Sequence, residues 1–356
     1  MGNGDHSKIL EKRSMMRIGI SYWGYCEPFG TSGEAKTPDG HRYGRPILVD
    51  AVHRRQHQVV SLQKRRETVP YEHINYDEGF PDIDVLFVEW RWPTYKNSGT
   101  NKSEPDLDRQ TELLKHYHGK IPVVIWDCDY KLTPEDERAW PDAIIADPAF
   151  DPRLLTRKRT RLMFWTDWKF LLQPSKNSLE YGYIGNNYER PDAFKNYYSD
   201  PSFDLRKSGF QTTVHGNWLE ISPERDHPSI LIKQHPHVSF APRLNFHESM
   251  MRLNSFVCTT HITKPEYAKR GFASPRYLEN IAVGTPSLVP VEFKVPDLLG
   301  KDWIVSDSSG VVKCVKQIHN LSYESRMSLV EDQMLKLKTM GVFSVDDVVS
   351  FLETLI

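Results

Sequence analysis

Met16-Arg-Ile-Gly-Ile-Ser-Tyr-Trp, Pro46-Ile-Leu-Val-Asp-Ala-Val-His-Arg-Arg and Gln58-Val-Val-Ser-Leu follow one another between residues 16 and 62. The first and third are short apolar runs, and the second carries apolar residues at helical spacing. Together they read as strand, loop, helix, strand, a βαβ unit whose strands run parallel. The pattern repeats with Asp84-Val-Leu-Phe-Val-Glu-Trp, a helical stretch from Asp106 to His118, and Pro122-Val-Val-Ile-Trp-Asp. Ala143-Ile-Ile-Ala-Asp and Arg161-Leu-Met-Phe-Trp continue the series. Unbroken apolar runs, in place of alternation, suit strands covered on both faces. The first half is predicted to be doubly wound α/β.

A second series begins after the polar Gln173-Pro-Ser-Lys. Tyr181-Gly-Tyr-Ile-Gly-Asn-Asn-Tyr-Glu-Arg and Gln211-Thr-Thr-Val-His-Gly-Asn-Trp each read as a strand ending in a glycine turn. Phe246 to Leu253 reads as a helix, Ser255-Phe-Val-Cys-Thr as a strand, and Ser274-Pro275 as the start of a helix that Gly284 stops. Ser287-Leu-Val-Pro-Val supplies the next strand. The expected organisation is a flexible N-terminus (1–15), a first domain (16–172), a second (173–340), and a last helix (341–356) that crosses back onto the first.

The chain has 356 residues, enough for two domains. With 46 basic and 47 acidic residues, its net charge of −1 excludes a wholesale polyanion-binding coat while leaving room for a local basic cleft. Charged residues at 26% and hydrophobic residues at 39% exclude extended disorder. No apolar stretch reaches the roughly 18 residues a membrane span requires. The polar start lacks a secretory h-region. Four scattered cysteines form no C-x-x-C pair. A soluble, reduced, cytoplasmic protein is expected.

In doubly wound sheets, ligands collect at the carboxyl ends of strands. In the first domain that rim holds the loop from Tyr22 to Arg45, Glu89-Trp-Arg-Trp and Asp127-Cys-Asp-Tyr-Lys. The loop contains neither G-x-G-x-x-G nor a P-loop, so no standard dinucleotide or NTP site is indicated. Asp127 and Asp129 are candidate catalytic carboxylates, or else strand-end turn residues satisfied by backbone N–H groups.

The block Gly271-Phe-Ala-Ser-Pro-Arg-Tyr-Leu-Glu-Asn-Ile-Ala-Val-Gly-Thr-Pro-Ser-Leu-Val-Pro resembles the donor-site segment of GT-B glycosyltransferases. It is nearest to the group-1 retaining enzymes and their CgeB-like (spore maturation) branch. Tyr183-Ile-Gly-Asn-Asn resembles the opening strand-loop of that family's second domain, and Asn254-Ser-Phe-Val-Cys-Thr its strand before the donor loop. The resemblance implies two Rossmann-like domains facing across a cleft. It also implies a nucleotide-sugar co-substrate such as a UDP-sugar or GDP-sugar, no catalytic metal, and transfer with retention, the departing phosphate helping to deprotonate the acceptor. It puts Glu279 on the ribose hydroxyls and the helix start at the diphosphate. Where group-1 enzymes carry a second glutamate eight positions earlier, this chain has Gly271, a difference shared with the CgeB-like branch.

Charge that grows on a leaving diphosphate is stabilised by fixed cations and helix N-termini. Arg276 is the leading cation, and a candidate catalytic group. Lys269, Arg190 and Arg243 are further donor-side cations, Ser274 caps the helix, and Gly185, Asn186 and Gly216 form turns whose backbone amides could approach phosphate. On the acceptor side stand Tyr22, Trp23, His41, Arg45 and Trp90. His235-Pro-His237 has no carboxylate or thiolate partner at metal-ligand spacing, so no metal is expected.

There are two basic clusters, Arg54-Arg55 with Lys64-Arg65-Arg66 and the run from Arg153 to Arg161, and aromatics follow the second at Phe164, Trp165 and Trp168, a combination that can hold nucleic acid. The segment from Arg17 to Glu67 resembles bacteriophage-associated enzymes, which makes a DNA base or a virion protein the expected acceptor. The competing expectation is a non-catalytic nucleic-acid- or virion-binding module on the same scaffold.

Overall fold

The computed structural model describes residues 15–21, 44–62, 74–75, 79–90, 105–150, 159–164, 174, 178–221, 227–293, 303–339 and 344–356. The first sheet contains β1 (Arg17–Ser21), β2 (Gln58–Ser61), β3 (Ile74–Asn75), β4 (Val85–Glu89), β5 (Val123–Trp126), β6 (Ile144–Asp147) and β7 (Thr160–Arg161). Helices α1 (Gly44–Arg54), α2 (Pro105–Tyr117) and α3 (Pro134–Ala139) connect them. The strand order is β3-β2-β1-β4-β5-β6-β7, every pair parallel. The order reverses between β1 and β4, the switch point of a doubly wound sheet.

Both faces of this sheet are buried, which is why its strands are apolar without alternation. Ile18, Ile20, Phe87, Val124 and Trp126 belong to one core. Val60, Leu86, Val88, Val123 and Ile125 belong to the core on the opposite face. α3 starts where Thr133 and Asp136 cap each other: Thr133 Oγ1 accepts the Asp136 N–H at 3.2 Å, and Asp136 Oδ2 accepts the Thr133 N–H at 3.0 Å.

Among the described residues the second half holds six strands in two parallel sets. They are β8 (Glu180–Ile184), β9 (Gln211–His215) and β10 (Val238–Ala241) in the order β10-β9-β8, and β11 (Thr259–Thr260), β12 (Ser287–Pro290) and β13 (Ile304–Val305) in the order β11-β12-β13. β11 lies beside β8, joined by the Val257 N–H donating to the Glu180 carbonyl at 2.8 Å. The helices are α4 (Pro191–Phe194), α5 (Asp200–Lys207), α6 (Pro228–Gln234), α7 (Phe246–Asn254), α8 (Pro265–Arg270), α9 (Pro275–Ala282), α10 (Ser308–Asn320), α11 (Tyr323–Thr339) and α12 (Val345–Glu353).

Two local expectations are corrected. The strand read from Ser255 begins only at Thr259, because the N–H groups of Ser255 and Phe256 donate back to the carbonyls of Arg252 (3.2 Å) and Leu253 (3.1 Å) and close the end of α7. α9 starts after Ser274 and ends before Gly284, but the Ser274 hydroxyl makes no cap hydrogen bond. The Tyr277 N–H that it would accept already donates to the Ser274 carbonyl at 3.0 Å.

One apolar core runs through both halves. It joins Trp126, Phe164 and Phe150 of the first to Phe272, Tyr277, Ile281 and Val289 of the second. α12 lies against α1, with Arg55 Nη1 donating to Ser350 Oγ at 2.7 Å and to Glu353 Oε2 at 3.1 Å. No helix among the described residues is long and apolar enough to cross a membrane.

Candidate active site between the two sheets

Loops at the carboxyl ends of both sheets meet at α8 and the start of α9. Phe150 donates its N–H to the Gly271 carbonyl at 2.8 Å, Ala149 and Phe272 form an antiparallel bridge, and Ala273 donates to the Pro148 carbonyl at 3.4 Å. Tyr267 Oη donates to the carbonyl and to Oδ1 of Asp129, each at 2.7 Å. The Arg270 guanidinium sits 3.8 Å from the centre of the Tyr130 ring. Asp129 therefore stands at the junction of the halves, held by a phenol from the second.

Asp127 lies two residues away and is fully buried. Its Oδ1 accepts the Lys131 N–H at 2.6 Å, and its Oδ2 lies 3.3 Å from Arg159 Nη1. The same guanidinium reaches Asp147 at 2.9 Å and Glu137 through Nε at 3.2 Å. Burial pushes the Asp127 carboxyl up to about 6, partly offset by the Lys131 N–H and Arg159. Burial also raises Asp147. The carboxylate of Asp127 thus faces a buried arginine in place of an open rim. Sequence reading missed this, because Arg159 sits in a run of cations that looks like a solvated patch.

The residues expected on the donor side gather along the carboxyl edge of the second sheet. Arg190 spans the ends of β8 and β11: Nη1 donates to Tyr183 Oη at 2.6 Å and to the Ile262 carbonyl at 3.5 Å, and Nε to the Tyr188 carbonyl at 2.9 Å. Asn186 Oδ1 accepts the Asn217 N–H at 3.3 Å, tying the β8 turn to the β9 turn. Lys264 at the start of α8 reaches Glu189 at 2.8 Å. Arg243, after β10, pairs with Glu220 at 2.5 Å. Lys269 is exposed on the last turn of α8.

The two glycines of these turns have a structural explanation different from the expected one. Gly216 has φ 152°, and a Cβ on it would lie 2.1 Å from the Gly185 carbonyl oxygen. The Gly185 N–H donates to His215 O at 2.9 Å, and the Gly216 N–H to Ala241 O at 3.3 Å. Both amides are spent inside the sheet edge, so these glycines let the two turns pack closely and do not present free N–H groups.

On α9, Arg276 and Glu279 are paired, Nη1 to Oε2 at 2.6 Å, with side chains 12% and 8% exposed. Burial raises the Glu279 carboxyl, and Arg276 pulls it back down. Ser274, half-buried, precedes them.

On the acceptor side, Tyr22, Trp23 and His41 lie outside the described residues, and of Arg45 only the backbone, in the first turn of α1, is described. Trp90 is 1% exposed and packs in the core with Leu113 and Leu114, so it offers no open face to an acceptor. His235 Nδ1 lies 2.6 Å from Ser199 Oγ, and His237 Nδ1 lies 3.4 Å from Arg206 Nη1. Among the described residues no three His, Cys, Asp or Glu side chains come together as a metal site. Of the basic clusters, Arg54 pairs with Asp50, Arg55 with Glu353, and Arg161 donates to the Phe150 carbonyl. Lys64, Arg65, Arg66 and the run from Arg153 to Lys158 lie outside the described residues.

The sequence matches no protein-family profile and no curated protein. Solved structures do match. The T4 phage BGT bound to UDP and Mn2+ superposes with a TM-score of 0.60 at 14% identity, over 92% of this chain and 96% of that one. A crystal structure described as the DNA modifying enzyme beta-glucosyltransferase, with and without uridine diphosphoglucose, gives 0.58 at 15% identity, over 92% and 95%. WaaG, a glycosyltransferase of lipopolysaccharide biosynthesis, gives 0.53 at 13% identity, over 95% and 100%. These are GT-B glycosyltransferases, and the chain has the GT-B fold.

Proposed function

We propose that the chain is a glycosyltransferase that moves a sugar, a hexosyl group or a close relative, from a nucleoside-diphosphate donor to an acceptor hydroxyl. The observation that carries this reading is the buried Arg276–Glu279 pair on α9, beside the carboxyl edge of the second sheet of a GT-B fold. The division into an acceptor-side domain (16–172), a donor-side domain (173–340) and a returning helix (341–356) is part of the same proposal. Glu279 takes the ribose hydroxyls. Arg276 and Arg190 take the diphosphate, with Ser274, Asn186, Lys269 and Arg243 around them and Gly185 and Gly216 shaping the turns. Arginine suits this task because its planar fork grips two phosphate oxygens and stays charged as the glycosidic bond breaks. Asp129, and Asp127 behind it, form the acceptor-side wall.

The acceptor we favour is a hydroxyl on a DNA base. Support comes from the neighbour described as a DNA modifying beta-glucosyltransferase and from the resemblance of residues 17–67 to bacteriophage-associated enzymes. Retention follows the resemblance of the 271–290 block and is read directly from the anomeric proton of the product. No resident metal is invoked, since the chain's own cations can carry the charge.

The test is thermal unfolding with UDP, GDP and ADP, with and without Mn2+, then slow hydrolysis of the matching nucleotide sugars. A ligand at a hundred times its Kd stabilises the native state by about 2.7 kcal/mol. One nucleotide should raise the Tm selectively. Steep salt-dependent DNA binding with no nucleotide effect would instead favour a non-catalytic module.

A further inference from the structure

Two residues beside the junction of the halves hold the left-handed backbone without being glycine. They are Tyr130, with φ 57° in the turn after β5, and Glu189, with φ 47° in the turn after β8. A side chain crowds that conformation, so a residue kept there answers a local demand. The turn at Tyr130 is pinned from both halves. Asp127 Oδ1 accepts the Lys131 N–H at 2.6 Å, and the Arg270 guanidinium stands 3.8 Å from the Tyr130 ring. Tyr267, whose hydroxyl donates to Asp129, has Lys264 Nζ 5.5 Å from its ring centre. Lys131 of the first half and Lys264 of the second thus approach the junction at one place.

Glu189 is the anion found there. Its Oε2 meets Lys264 Nζ at 2.8 Å, with the lysine side chain 17% exposed and the glutamate 67%. The hydrogen bond from Lys264 holds the Glu189 carboxyl below its ordinary range against the effect of burial, and the charges of Lys131 and Arg190 act the same way. Arg190 itself is anchored on Tyr183 Oη and the Ile262 carbonyl. An ion pair so open to water is worth little. The lysine is its sheltered member and the carboxylate its exposed one, so the cation is fixed in place while the anion is easily exchanged. A phosphate spreads its charge over several oxygens and can serve both lysines at once.

We infer that Lys131 and Lys264 form an anion site shared by the two halves, which Glu189 fills and from which a phosphate group of a substrate displaces it. This rests on the reading of the junction as a glycosyl-transfer site. The phosphate belongs either to the donor diphosphate or to the backbone of an acceptor DNA, which present the same oxyanion chemistry. Because each half supplies one lysine, the incoming phosphate ties the halves together where the glutamate had masked them.

The experiment uses the full chain at low ionic strength, where exposed charges act most strongly. Its two probes are whichever of UDP, GDP or ADP stabilises the chain, and a short DNA duplex. Glu189→Gln should tighten at least one probe by about three-fold or more, the worth of an exposed ion pair. Lys264→Met and Lys131→Met should each weaken that probe, and the gain should vanish when Glu189→Gln is combined with Lys264→Met. Glu266→Gln removes an equal charge from the exposed start of α8 and should give less than half the gain. Tightening of the nucleotide alone assigns the donor diphosphate, tightening of the duplex alone assigns the acceptor backbone, and tightening of both assigns a site open to either. No tightening, an equal gain in Glu266→Gln, a gain that survives the loss of Lys264, or a Lys131→Met chain that binds like the wild type overturns the inference and leaves the donor site standing. A wild type that binds the duplex but no nucleotide removes the donor site, and the duplex measurements then decide the inference. A wild type that binds neither probe removes both.

Discussion

Arg276 and Glu279 lie one turn apart on α9, their charged atoms 2.6 Å apart and their side chains almost withdrawn from water. A carboxylate is costly to bury, and here a single guanidinium offsets that cost. Glu279→Gln keeps the shape and removes the charge. It should weaken nucleoside-diphosphate binding by about ten-fold or more, the worth of a hydrogen bond to a charged group. Calorimetry measures it, and a variant that binds like the wild type would refute the ribose role.

Arg159 holds three acidic side chains at once: Asp127, Asp147 and Glu137. Removing it as Arg159→Met takes away the counter-charge that the three carboxylates share. The expected loss is about 3–5 kcal/mol of stability in urea unfolding. A loss below 1 kcal/mol would mean that the cluster is open to water.

Asp127 has a pH signature of its own. Burial pushes its carboxyl up to about 6 in the folded chain from an ordinary 3.8, so the native state holds the proton more tightly than the unfolded chain. Its contribution is therefore fully present below about 4 and is lost as pH rises through about 6, a change of about 3 kcal/mol. Asp127→Asn should be least different from wild type near pH 4 and relatively most stable above pH 7. Urea midpoints at pH 4.5, 6 and 7.5 check the sign, and a difference independent of pH would refute it.

Tyr267→Phe deletes the two hydrogen bonds from α8 to Asp129. The expected cost is about 1 kcal/mol. Faster hydrogen exchange should appear at the amides of Phe272 and Ala273, which lie beside the junction. Unchanged exchange there would show that the phenol does not hold the halves together.

Much of the fold could be read in advance, for a physical reason. A parallel sheet buried on both faces leaves unbroken apolar runs, and β1, β2, β4, β5 and β6 all fall on such runs. The limits of α9 could be read because Pro275 and Gly284 act locally. The site was less legible. That Arg159 serves Asp127 depends on a contact across 32 residues, and a run of basic side chains has the same composition whether solvated or buried. The glycines at 185 and 216 stand out in the sequence, but the crowding between their turns arises from segments distant in sequence.

The antiparallel bridge between Ala149 and Phe272, with the shared core behind it, constrains how the two halves could move. Two halves joined there, and again where α12 lies against α1, cannot drift apart as free bodies. Any opening between them would have to be a swing about these junctions, like the covers of a book about its spine, with the largest excursions at the rims farthest from them.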